Sequence, residues 1–132
     1  MNVIDASALA KFVLKEEGWR EVIPFLKRAE SVDHALKEVA NAIWKARRSG
    51  FIGDEDASKK FEALLALTSE NVELVDESDL LPVAFGLALA RGITVYDALY
   101  VSLAKRDGLP LVTSDEAQGK VARGLGVRVI LV

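Results

Sequence analysis

The sequence of 132 residues predicts an α/β fold in which a central parallel sheet is covered by helices on both faces. Three observations lead there. Helical patterns alternate along the chain with about five short apolar runs, each too short to be a helix. Two of these runs lead into an acid that opens a helix, Asn2-Val3-Ile4 into Asp5 and Leu111-Val112 into Thr113-Ser114-Asp115. The closing run, residues 127–132, is too apolar to lie on an open surface. In such a sheet every strand-to-helix junction lies at the carboxyl edge of the strands, where open α/β folds place their ligands.

The elements follow in order. Residues 2–4 form a first strand, and Asp5-Ala6-Ser7-Ala8-Leu9 turns into a helix whose apolar residues Leu9, Phe12 and Val13 recur at helical spacing up to a stop at Gly18. Residues 19–28 predict a second helix with Trp19, Val22, Ile23 and Leu26 on one side and Pro24 as a kink or a late start. Residues 31–33 are expected to be the second strand. A long helix spans 34–49, with Leu36, Val39, Ile43 and Ala46 as one stripe and Glu38, Asn41 and Lys45 as another. His34 reads as a surface or first-turn residue. After a turn at 50–53, Asp54 is expected to cap a helix carrying Phe61, Leu64, Leu65 and Leu67. Residues 72–75 alternate as a strand that ends at Asp76, and Pro82 sits where the first turn of a helix over 80–91 tolerates it. Thr94 and Asp97 fit a capping box opening the apolar helix 98–106; Thr113 and Glu116 fit another after a strand over 109–112.

With 51% hydrophobic residues the chain can bury a full core as a single domain. No apolar run approaches the ~18 residues of a membrane span, and no secretory leader pattern opens the chain, so a soluble, cytoplasmic protein is expected. Zero cysteines and a single histidine exclude disulfides, thiolate metal sites and the His-rich zinc sites of hydrolases. Any metal must be held by oxygen. A formal net charge of -3 argues against a protein that coats nucleic acid electrostatically, but not against an enzyme that meets phosphate through a bound cation.

Taken singly, Asp5, Asp97 and Asp115 read as helix caps and Glu38 as part of a solvated face. The topology brings them together. Asp5 and Asp115 follow strands, Glu38 lies about a turn into the helix after the second strand, and Asp97 opens the helix that runs back toward the next strand. All four carboxylates are expected at one edge, with Ser7, Asn41 and Thr113 supplying neutral oxygens. Clustered carboxylates without compensating cations raise one another's pKa, and hard oxygen donors around an open position suit Mg²⁺ or Mn²⁺. A phosphatase is disfavoured because Asp5-Ala6-Ser7 is not D-x-D. A phospho-receiver is disfavoured because Thr113-Ser114 stands where a lysine belongs.

Val3-Ile4-Asp5-Ala6-Ser7, Glu38-x-x-Asn41, Tyr96-Asp97-Ala98 and Thr113-x-Asp115, in that order, resemble the PIN domain, in particular the VapC toxins. The resemblance spans nearly the whole chain. It implies a three-layer α/β/α sandwich with a five-stranded parallel sheet of order 3-2-1-4-5, and a metal-dependent endoribonuclease. By match Asp5, Glu38, Asp97 and Asp115 are the acidic residues, with Ser7, Asn41 and Thr113 in support. Asp5, Asp97 and Asp115 would hold Mg²⁺ or Mn²⁺ and Glu38 would be a ligand or water-orienting base. The sequence departs from the family where Ala117-Gln118-Gly119 replaces an aromatic or large apolar residue after the last Asp. Lys11, Lys45, Arg47 and Arg48 are candidates to meet an RNA backbone. The resemblance also implies a VapB-type antitoxin, with Phe12, Trp19 and Val22 as candidate contacts. Trp44, about 100° from Ile43 and about 120° from Glu38 on the helix, belongs to neither core nor site and predicts a homodimer. The alternative is a PIN-like module that binds RNA or protein without cutting.

Overall fold

The computed structural model describes residues Met1–Val132 and contains one all-parallel sheet of order β3-β2-β1-β4-β5. The elements are β1 (Asn2–Ile4), α1 (Ala6–Val13), a 3-10 segment (Trp19–Phe25), β2 (Ala29–Val32), α2 (Ala35–Arg48), α3 (Asp54–Glu70), β3 (Val72–Val75), α4 (Leu81–Arg91), α5 (Val95–Asp107), β4 (Leu111–Thr113), α6 (Glu116–Gly124) and β5 (Val129–Leu131). The chain steps outward from β1 to β3, then returns past β1 to β4 and continues to β5. With this strand order, right-handed crossovers put α1–α3 on one face and α4–α6 on the other, so that both faces are covered as expected. α1, α2 and α3 pack together, α4 packs on α5, and α5 lies against β1, β2 and β4. The reversal of direction between β1 and β4 opens a crevice at their carboxyl ends, the position at which such sheets hold ligands.

α5 forms the centre of its layer. Thr94 caps it by accepting the Asp97 amide at 3.1 Å, and every residue from Ala98 to Ala104 is buried. Burial of Leu99 and Leu103 is worth about 1.5–3 kcal/mol each. No single helix is long and apolar enough to cross a membrane.

Several local expectations are corrected. The second helix is a 3-10 segment over Trp19–Phe25, with Pro24, which has no amide proton to donate, near its end. β5 is an edge strand, paired only with β4, and Leu131 is 44% exposed. Gly53, not Asp54, precedes the first turn of α3, and the Asp54 carboxylate pairs with Arg47 instead. β2 begins at Ala29, two residues before the expected strand, because Glu30 is buried where a charged residue is least expected.

Burial, a hydrogen bond shared with Asp107, and the charges of Asp107 and Glu73 push the Glu30 carboxyl up to about 7. The fold therefore prefers neutral Glu30. Its contribution to stability is complete below the ordinary value of 4.5 and is lost as pH rises through about 7. Glu30→Gln supplies a permanently neutral donor and should raise the melting temperature more at pH 8 than at pH 5. An equal change at both pH values in thermal denaturation would contradict this reading.

Candidate active site

Asp5 sits where β1 ends and α1 begins, only 1% exposed. Its backbone continues the sheet, with the amide bonded to the Val112 carbonyl at 3.1 Å. Both carboxylate oxygens are held. Oδ1 accepts from the Ser7 hydroxyl at 2.6 Å and the Ala8 amide at 2.9 Å, and Oδ2 accepts from the Thr113 hydroxyl. Ser7 in turn accepts the Ser114 amide and Thr113 the Asp115 amide, each at 3.0 Å. This network ties the β1 junction to the β4 junction across the crevice. With two acceptor sites per oxygen, Oδ1 is filled by its two donors and Oδ2 keeps one free for a cation. Burial pushes the Asp5 carboxyl up to about 6, against the opposing bonds from Ser7, Thr113 and Ala8, and the charge of Asp97 adds to the rise.

Asp97 stands in the first turn of α5, and burial followed by the charges of Asp115 and Glu38 raises its pKa. Asp115 caps α6, accepting the Gln118 amide at 3.1 Å, so the expected Thr113–Glu116 box does not form. Thr113 belongs to β4, and its hydroxyl serves Asp5. Glu38, a turn into α2, receives the Tyr100 hydroxyl at 3.3 Å, and the same Oε1 lies 2.6 Å from His34 Nε2. Asp5, Ser7, Glu38, Asp97 and Asp115 all line one cavity of about 260 Å³, together with Tyr100 and Gln118. Thr113 is fully buried behind it.

Asn41 is not brought there. It is exposed and does not line the cavity, because the inward stripe of α2 runs from Glu38 to Ala42. Position i+4 lies about 40° from Glu38 on one side, whereas i+3 lies about 60° away on the other.

Three neighbours of the acids are not apparent from sequence as site residues. His34 is 5% exposed rather than on the surface, packed between the Tyr96 and Tyr100 rings at 5.4 and 4.8 Å. Tyr100 looked like one more apolar residue of a core helix. Gln118, also buried, donates its side-chain amide to the Asp97 carbonyl at 3.2 Å and its backbone amide to Asp115, bridging α5 and α6. Gly119 lets α6 approach closely, since a Cβ there would meet Val129 at 3.2 Å. Gln118 and Gly119 thus support Asp115 in place of the large apolar residue.

The donor set fits a hard divalent cation. The carboxyls of Asp5 and Asp97 are both raised, first by burial and then by neighbouring carboxylates, and the one opposing charge is that of His34 on Asp97, with no Lys or Arg among the causes. A cation among the four would offset that repulsion.

A parallel 3-2-1-4-5 sheet with four acids lining one cavity is the arrangement expected of a PIN domain. The PIN domain profile matches residues 3–124, and the chain belongs to the PIN domain family. It is 37% identical to Ribonuclease VapC3 of Pyrobaculum aerophilum over 116 residues, 86% of this chain and 88% of that protein. It is 30% identical to Exonuclease VapC9 of the same organism over 131 residues, 98% and 92% of the two chains. Among solved structures, PAE2754 from Pyrobaculum aerophilum superposes with a TM-score of 0.74 at 26% identity, covering 97% of this chain and 81% of that one. A toxin-antitoxin complex from Klebsiella pneumoniae has a chain that matches with a TM-score of 0.64 at 16% identity, covering 98% and 96%.

Proposed function

We propose that the chain is a metal-dependent endoribonuclease and the toxin of a VapBC-type toxin–antitoxin pair. The observation that carries this reading is the convergence of Asp5, Glu38, Asp97 and Asp115 on one cavity without a basic side chain among its lining residues. Asp5, Asp97 and Asp115 would hold Mg²⁺ or Mn²⁺. Such an ion supplies Lewis-acid polarisation of a phosphoryl oxygen and a water of lowered pKa. The remaining work belongs to the chain. Ser7 and Thr113 fix the Asp5 carboxylate, Gln118 spaces Asp97 from Asp115, and the Tyr100 hydroxyl holds Glu38, with the His34 ring beside the same oxygen, to orient a water and accept its proton. Lys45, about two turns beyond Glu38 on the same stripe, is exposed and suited to an RNA phosphate. Arg47 is engaged by Asp54, and Arg48 lies 5.5 Å from the Trp44 ring centre.

The similar proteins are named both ribonuclease and exonuclease, so the assay must separate the two modes. A closed circular RNA has no ends. It should be linearised by the purified chain in Mg²⁺ and untouched in EDTA. Degradation of linear RNA alone would make the chain an exonuclease, and tight binding without cleavage would favour a binding module.

Two macromolecular partners belong to the same reading. An antitoxin is supported by the VapC relatives and by the similar fold in a toxin-antitoxin complex. Of its expected contacts Val22 drops out, being fully buried, while Phe12 and Trp19 remain half-buried and packed edge to face at 5.9 Å. A homodimer is supported by exposed apolar surface: Trp44 is 53% exposed, and α4 presents Val83, Phe85 and Leu89 at 68, 54 and 73%. Light scattering at micromolar concentration should give twice the chain mass, and Leu89→Glu should halve it. A wild-type monomer would contradict this.

A further inference from the structure

One strand away from the carboxylate crevice, at the carboxyl ends of β2 and β3, lies a second group of metal-ligating side chains. Asp33 follows β2, His34 precedes the first turn of α2, and Glu77 follows β3. One ligand atom from each lies within 4.8 Å of the others. The backbone fixes two of the three. The Asp33 amide donates to the Val75 carbonyl at 2.9 Å, extending the β2–β3 ladder, and the Glu77 carbonyl accepts the Leu80 and Leu81 amides at 2.9 Å, holding the loop before α4.

His34 provides the independent sign of a ligand. Its side chain is 6% exposed, wedged against Tyr96 and Tyr100, yet Nδ1 has no hydrogen-bond partner and faces Glu77 Oε2 at 3.7 Å. Asp33 Oδ1 is likewise buried and unpartnered. Orphaned buried polar atoms are costly and rare. On the other side of the ring Nε2 is 2.6 Å from Glu38 Oε1, although the oxygen lies off the N–H direction, so this contact is not an aligned hydrogen bond. A ring with one nitrogen near a carboxylate and the other toward Glu77, in a group that also holds Asp33, has the layout of a metal-ligating histidine, whose distal nitrogen is ordinarily oriented by a carboxylate.

We propose that Asp33, His34 and Glu77 form a second cation site, distinct from the four-carboxylate cavity, selective for a borderline transition ion such as Zn²⁺ over Mg²⁺. The imidazole nitrogen sets that preference, because nitrogen donors suit Zn²⁺ and all-oxygen sets suit Mg²⁺. Two carboxylates and a neutral imidazole balance a divalent charge. Glu77, with its side chain 42% exposed, leaves one side open for the ion to arrive and for water to complete the coordination. Because the same ring touches Glu38, occupancy would set the position of His34 against the catalytic cavity.

The single histidine makes the test direct. In long-range ¹H–¹⁵N spectra of the full chain at pH 7.5, one equivalent of ZnCl₂ should shift the Nδ1 resonance and leave Nε2 protonated, while 10-fold more MgCl₂ should not. Asp97→Asn should keep this response. Asp33→Asn and Glu77→Gln should each weaken Zn²⁺ affinity by about tenfold or more, with the amide spectrum reporting an intact fold. The proposal is overturned if Zn²⁺ leaves both nitrogens unmoved, as for an imidazolium clamped between Glu38 and Glu77. It is also overturned if both carboxylate variants bind Zn²⁺ as tightly as wild type, or if Asp97→Asn abolishes the response.

Discussion

Asp97→Asn should reduce Mg²⁺-dependent RNA cleavage by on the order of 10³-fold, comparable to removing a principal electrostatic stabiliser of a transition state, and at the same time raise the melting temperature of the metal-free protein above neutral pH. The two effects have one cause. Asp97 is half-buried and faces the charges of Asp115 and Glu38, so its ionised form is less favourable in the fold than in the unfolded chain. Asn removes that charge and keeps the Thr94 cap, whose bond is to the backbone amide. The favourable interaction of an acid with the helix N-terminus, about 0.3–1 kcal/mol, is lost and opposes this gain. In wild type Mg²⁺ should raise the melting temperature by mass action, and in the variant it should not. A variant that is destabilised without metal, or still stabilised by Mg²⁺ as wild type is, would remove Asp97 from the centre of the cation site.

Cleavage should also fall steeply on the acid side. Burial raises the Asp5 carboxyl from its ordinary value of 3.8 to about 6, so across mildly acidic pH a proton increasingly occupies the oxygens that the metal needs. Asp97, raised as well, steepens the limb. Because cation and proton compete for the same oxygens, more Mg²⁺ should move the limb to lower pH. Thr113→Val sets the sign in the other direction. The Thr113 hydroxyl donates to ionised Asp5, and its loss should push the limb toward higher pH at a cost of about 1–3 kcal/mol in stability. A rate independent of pH between 7.5 and 5 would contradict a carboxylate metal site.

The sheet was legible because its strands are short apolar runs that mostly end at acids, and β1 to β4 all begin and end within two residues of where the pattern places them. The start of β2 was hidden because Glu30 is a buried acid that the fold keeps preferentially neutral, and such a residue conceals a strand from any reading of polarity. The four acids were legible as a set because each sits at a junction whose position the topology dictates. Asn41 was misplaced because i+3 and i+4 neighbours look alike on paper but diverge by about 100° around a helix. His34, Tyr100 and Gln118 were not legible as site residues, since a lone His, a Tyr in an apolar helix and a Gln after a cap gain their roles only when α2, α5 and α6 meet.

The most direct measurement is anomalous diffraction from a crystal of the chain soaked in Mn²⁺ at neutral pH. A peak coordinated by Asp5, Asp97 and Asp115, within reach of Glu38, is the expected result. Density for Mn²⁺ elsewhere but none among those carboxylates, in a protein that cleaves RNA with the same ion, would contradict the proposed mechanism.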